Sequence, residues 1–272
     1  MQPMSPEPGG PASPPHSPVS YGFIGAGAIT AAIVEGLNLE SVDPPAVFLS
    51  PRGRAVGLEL ASRFPTVRVC GSNQEVLESA AAIVVAVRPP AGRAVLEELS
   101  FRPHHVVLSV LAGVRLEQLQ AWAAPADQLV RAIPLPSAAR GRSLTAIFPD
   151  DAVARDLFGR VGDVLVPSEE ATLNAFGAAT ATLAAHLDYV ATIAGWLADH
   201  GVDDSAATAY TTHLFGQLGQ SLSQRTESLA ALTDKHMTPG GINQQFMTDL
   251  RHDGVPDTVR RALDRILARL RG

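Results

Sequence analysis

The stretch Tyr21 to Leu37, YGFIGAGAITAAIVEGL, decides how the rest of the chain reads. A β-branched and aromatic run, Val19 to Ile24, turns through Gly25-Ala26-Gly27 into Ala-rich sequence that favours helix. Strand, glycine turn and helix in this order let a backbone approach a pyrophosphate with no Cβ in the way. The helix that follows aims free N–H groups and its positive dipole end at the phosphates. Thr30 stands where a G-x-G-x-x-G fingerprint would place its third glycine, so the turn alone also suits an ordinary strand-to-helix junction in another α/β protein.

The sequence after this stretch adds strands that fit the dinucleotide reading. Ala46 to Leu49 is predicted as a second strand, ending in Ser50-Pro51-Arg52-Gly53-Arg54, where an acid would bind the ribose hydroxyl of NAD and an arginine would accept the 2′-phosphate of NADP. Ser50, Arg52 and Arg54 are present there and no acid is, which points to NADP; a solvated basic turn is the plainer alternative. A helix from Ala55 to Arg63 and a strand from Val67 to Val69 follow, then Gly71-Ser72-Asn73. Ala82 to Val87 is apolar throughout, as expected of a parallel strand covered on both faces. It stops at Arg88-Pro89-Pro90, and strand ends of this kind border the ligand in open α/β sheets. Further strands are predicted at His105 to Val110, leading into Leu111-Ala112-Gly113-Val114, at Leu129 to Ile133, near Leu144 to Phe148 and near Val164 to Val166.

From Ser168 the pattern becomes helical. Ser168 reads as an N-cap, Glu169 and Glu170 suit a first turn, and nothing breaks the helix before Gly201, which gives roughly 48 Å of helix at about 1.5 Å per residue. Between Ala171 and Leu187 there is no charged residue. Asn174, several threonines, His186 and Asp188 speak against a membrane span, so the expectation is a helix buried on all sides with the help of a second subunit. Later helices are predicted from Asp203 or Asp204 to Gln224, near Glu227 to Leu232, and from Pro256 to Leu270, with a break at Thr238-Pro239-Gly240-Gly241.

Composition narrows the function. The 272 residues are 46% hydrophobic and 18% charged with a net charge of −6, a globular balance that offers nothing to nucleic acid or an anionic membrane surface. The one cysteine, Cys70, excludes a disulfide framework and a multi-cysteine metal site, and reads as a small buried residue. The proline-rich residues 1–18 read as a flexible tail with no signal-peptide character, and the chain is expected in the cytoplasm.

Together these motifs resemble the pyrroline-5-carboxylate reductase family from about Val19 to Leu270. GFIGAG at Gly22 to Gly27, Ala32-Ile33-Val34-Glu35-Gly36-Leu37, Arg88-Pro89 in place of a Lys-Pro, Ser109 to Val114, Arg131 to Pro134 and Pro239-Gly240-Gly241 carry the resemblance. It implies an α/β chain with an N-terminal Rossmann domain, residues 19–167, and a C-terminal all-helical dimerisation and substrate domain, residues 168–272. It also implies NADP held by Gly25, Gly27, Ala28, Ile29, Ser50, Arg52, Asn73, Val87, Arg88, Pro89, Ala112 and Gly113, and a homodimer or assembly of dimers. The departures cluster at the substrate side. The family's Asn-Thr after Met-Pro is Leu135-Pro136, its S-G-S-G-P-A-Y keeps only Tyr189, and its late Thr-Thr is Ile242-Asn243. The expected activity is therefore NADPH-dependent reduction of a C=N bond in a small imine other than pyrroline-5-carboxylate. His186, Tyr189, Thr238 and Asn243 are its candidate catalytic groups; His186 and Tyr189 equally suit packing in a subunit interface. Three alternatives stand beside this reading. A true pyrroline-5-carboxylate reductase shares the motifs. A dinucleotide-binding relative without activity would explain the lost substrate motifs. A β-hydroxyacid dehydrogenase would need a lysine on the long helix, and the only lysine is Lys235.

Overall fold

A computed structural model describes residues 20–39, 41–224 and 227–271. The proline-rich tail and Val19 lie outside the described residues. The chain divides into two compact units, one ending at Glu170 and the other beginning at Ala171.

The first unit is built on one sheet of eight strands in the order β3-β2-β1-β4-β5-β6-β7-β8. In chain order the elements are β1 (Tyr21–Ile24), α1 (Ala28–Leu37), β2 (Val47–Leu49), α2 (Arg54–Arg63), β3 (Val67–Val69), α3 (Asn73–Ser79) and β4 (Ala82–Val85). They continue with α4 (Gly92–Glu97), β5 (Val106–Ser109), α5 (Leu116–Trp122), β6 (Gln128–Ile133), β7 (Ser143–Phe148), α6 (Ala152–Gly159) and β8 (Gly162–Leu165). The first six strands are parallel, with β1 between β2 and β4. This is the doubly wound order whose switch point, between β1 and β4, receives dinucleotides. β7 is antiparallel to β6, because the segment 134–142 is too short for the crossover a parallel return needs.

Two cores form because successive strand side chains point to opposite faces. Ala82, Val84, Val106 and Leu108 join one core with Phe23, Ile33, Leu49 and Phe158. Ile83, Val85 and Val107 join the other with Ile24, Leu77, Leu96 and Leu119. The apolar runs of β4 and β5 thus serve both faces, as their sequence suggests. At the start of β1 the buried Tyr21 hydroxyl donates to Asp156 Oδ2 at 2.5 Å, and Arg160 Nε donates to the same oxygen at 3.1 Å. Burial, and then the Asp156 carboxylate, raise the Tyr21 pKa far above its usual value. Gly36 on α1 faces a 3-10 turn at Pro136–Arg140, where an added Cβ would stand 2.1 Å from the Ala138 carbonyl oxygen. Only glycine allows that approach.

The second unit contains helices alone: α7 (Glu170–Thr180, whose first residue belongs to the sheet unit), α8 (Thr182–Asp199), α9 (Asp204–Ser223), α10 (Leu229–His236), α11 (Ile242–His252) and α12 (Val255–Arg271). The single long helix expected from Ser168 is two, with the junction at Ala181, and Ser168 lies before the first of them. α10 starts later and runs further than expected, and α11 was not anticipated. No residue of α8, α10, α11 or α12 is buried in the isolated chain. Among the described residues no helix is long and apolar enough to cross a membrane.

Candidate functional site

The carboxyl ends of β1, β2 and β4 surround a cavity of about 440 Å³ lined by Gly25, Ala26, Gly27, Arg52, Gly53, Ala86, Val87, Arg88 and Ala91. Its floor is the glycine turn. Gly25 has φ +107°, and a Cβ there would stand 2.6 Å from the Ala86 carbonyl oxygen. Two side chains fix the turn. The Gly25 N–H donates to Ser50 Oγ at 2.8 Å, and the Thr30 hydroxyl donates to the Gly25 carbonyl at 2.6 Å. Both are buried. Thr30 therefore takes the third-glycine position and locks the turn from the helix side.

Gly27 caps α1 with no side-chain hydrogen bond, and a Cβ on it would meet nothing within 4 Å. The first-turn amides of α1 are groups a helix leaves without internal partners, next to open space. Arg52 and Arg88 are exposed on the rim, and neither forms an ion pair among the described residues. Among the described residues no carboxylate lines the cavity. Backbone donors, a dipole end and two guanidiniums suit an anion, and arginine forks suit phosphate. The residues present thus fit a dinucleotide.

Of the expected cofactor residues, Gly25, Gly27, Arg52, Val87 and Arg88 line this cavity. Pro89 opens the 3-10 turn directly after Arg88. Ser50 is 1% exposed, its oxygen accepts from the Gly25 N–H, and it is not among the residues lining the cavity, so its observed role is to support the turn. Ala28 and Ile29 form the first turn of α1, with Ile29 packed on the core. Asn73 begins α3 beyond β3, behind the cap that Ser72 makes by accepting from the Glu75 N–H. Ala112 and Gly113 (φ +78°) lie in the loop after β5, outside the cavity lining.

The expected catalytic residues all lie in the helical unit. His186 and Tyr189 share a face of α8, with ring centroids 6.5 Å apart, and Phe215 of α9 packs edge-on to both at 5.7 and 5.8 Å. Thr238 is exposed in the turn between α10 and α11, where its carbonyl accepts from the Gly241 N–H. Asn243, near the start of α11, donates from Nδ2 to the His236 carbonyl at 2.9 Å. That bond ties α11 to the end of α10 and leaves the second N–H and Oδ1 of the amide outside it. Beside it, Gln244 Oε1 accepts from the Gly240 N–H at 2.7 Å, and Ile242 is 83% exposed.

Sequence reasoning missed the roles of Thr30 and Ser50, and missed Arg131 with Glu170. Arg131, on β6, is 5% exposed and donates to Glu170 Oε1 at 2.8 Å. A charged residue inside an apolar strand was the available signal, because buried charges are paired. Among the described residues no cluster could hold a metal ion.

Comparison with known proteins agrees with this geometry. Residues 20–113 match the family model described as NADP oxidoreductase, coenzyme F420-dependent, and residues 170–272 match that for pyrroline-5-carboxylate reductase dimerisation. The pyrroline-5-carboxylate reductase of Synechocystis sp. is 30% identical over 82% of this chain and 86% of its own length. That of Glycine max is 29% identical over 92% and 94%. The crystal structure of Plasmodium falciparum pyrroline carboxylate reductase with NADP bound superposes with a TM-score of 0.75 at 16% identity, over 93% of this chain and 97% of that one, and shows the same fold.

Proposed function

The chain belongs to the pyrroline-5-carboxylate reductase family of oxidoreductases, and on that premise we propose that it reduces the C=N bond of a small imine with NADPH as a homodimer. The observation that carries the proposal is the cleft over β1 and β4, with a pinned glycine turn and, among the described residues, two arginines outside any ion pair and no acid in the lining. In this reading residues 19–167 bind the dinucleotide and residues 168–272 supply the substrate site and the subunit contact. When bound, NADPH supplies a hydride.

The chain's own residues have simpler tasks. The first-turn amides of α1 and Arg88 hold the diphosphate, and Arg52, with Arg54 behind it, neutralises the 2′-phosphate. Gly27 admits the cofactor closely because it presents no side chain. An imine is readily protonated before binding, so positioning contributes more than a strong enzymic acid. His186 and Tyr189, held by Phe215, are the groups proposed to orient the substrate, with Thr238 as a further hydroxyl. Ile242 and Asn243, which stand where the family has two threonine hydroxyls, favour an imine other than pyrroline-5-carboxylate, whereas the names of the relatives favour pyrroline-5-carboxylate itself.

One assay separates these readings: NADPH oxidation against pyrroline-5-carboxylate, other cyclic imines and keto acids. Turnover of a non-carboxylated cyclic imine above pyrroline-5-carboxylate is expected. Efficient reduction of pyrroline-5-carboxylate alone would establish the second reading, and no turnover of any member would leave a dinucleotide-binding protein.

A further inference from the structure

We infer that Glu170 is a positioning residue for the cofactor cleft, acting through the loop between β5 and α5; the inference rests on the NADP reading above. A single carboxylate oxygen, Glu170 Oε1, accepts from Arg131 Nη1 at 2.8 Å and from the backbone N–H of Leu116 at 2.8 Å. Leu116 is the first residue of α5, and its amide is one that a helix cannot satisfy internally. At the other end of the loop, Ser109 Oγ accepts from the Leu111 N–H at 3.3 Å. Ser109 and Arg131 are register partners on β5 and β6. The segment 110–116, with Ala112 and the left-handed Gly113, is thus held at both ends by neighbouring positions of the sheet. Its first amide, Val110 N–H, donates to the Val85 carbonyl at 3.0 Å, and the residues directly after Val85 line the cleft.

An ion pair serving stability alone is replaceable by apolar side chains of similar volume, often at no loss. This one also grips loop backbone beside the cleft, which an apolar pair cannot do. Arg131 is the nearly buried member and orients the carboxylate; Glu170 is the member that touches the loop.

The test compares wild type with Glu170→Ala and with the double variant Arg131→Met/Glu170→Met. NADPH affinity is measured by calorimetry, Tm by scanning calorimetry, and amide exchange over residues 110–119 without cofactor. Exchange in the loop should accelerate in both variants, and the NADPH Kd should rise roughly tenfold. The double variant should regain most of the Tm lost by Glu170→Ala but not the affinity. Recovery of both Tm and affinity in the double variant, or unchanged loop exchange in either variant, would overturn the inference. If wild type binds no NADPH, the cofactor reading fails, and loop exchange still decides whether Glu170 holds the loop.

Discussion

Replacing Thr30 by valine keeps the shape of the side chain and removes only its hydroxyl. The Gly25 carbonyl then loses its buried donor, which costs about 1–3 kcal/mol. Thr30→Val should lower the urea midpoint accordingly without changing the slope, and an unchanged midpoint would mean that water replaces the hydroxyl. Arg52 makes a different prediction. A charge-assisted bond to phosphate contributes roughly 1.5–3 kcal/mol, so Arg52→Ala should raise the NADPH constant about tenfold or more and leave that for NADH nearly unchanged. Equal loss for both cofactors would count against a 2′-phosphate site. The sequence marked Arg52 because its class of side chain at the end of β2 has a known meaning. It did not reveal Ser50 as a support, because the bond from Gly25 to Ser50 joins residues that meet only once β1 and β2 are paired.

Between elements, His105 has the clearest consequence. The buried ring accepts the Arg102 N–H on Nδ1 at 3.0 Å and bonds to the Leu77 backbone, joining the approach to β5 with α3. Burial first, then the charges of His104 and Arg102, hold its pKa below the usual value of 6.5. Protonation would also cost Nδ1 its role as acceptor. The unfolded chain therefore takes up the proton first, and the stability His105 contributes is complete above about pH 6.5 and is lost as the pH falls towards the folded pKa. Tm should be flat from about pH 7 to 8.5 and decline below about 6.5; His105→Gln should be less stable at neutral pH and show a shallower decline in that window. Glu75, whose carboxyl is held low by the Gly71 N–H and then by Arg68, titrates in a lower range. The strands were legible to within a residue or two, because apolar runs end in glycine and proline. Short helices such as α3, α4 and α5 offer too few turns for a period to emerge. α11 was hidden by polar INQQ after a Pro-Gly-Gly break, and the junction at Ala181 keeps helical angles, φ −65° and ψ −15°, so no breaker residue announces it.

At the scale of the whole molecule, the helical unit has apolar surface that the isolated chain leaves open. On α8, Leu187 is 69% and Trp196 57% exposed, and Tyr210 and Leu214 on α9 are also exposed. The match of residues 170–272 to a dimerisation model suits a second copy as the cover. Sedimentation at micromolar concentration should find a species of twice the 28.5 kDa chain mass, and a stable monomer would refute it. The sequence indicated a partner through the uncharged run Ala171 to Leu187, since burial on all sides is a property a pattern can express. Which side chains meet across two copies is not. A unit with so little interior of its own also changes how the protein is made. The sheet unit emerges from the ribosome first and has both its cores complete, whereas on the homodimer reading α8 to α12 wait for an encounter with a second copy. In refolding, Tyr21 and the rest of the sheet unit should recover with a rate independent of protein concentration, while fluorescence of Trp196 in a Trp122→Phe background should recover with second-order kinetics. Slow dilution would then leave chains with finished sheets and unpaired helices, the species most prone to aggregate.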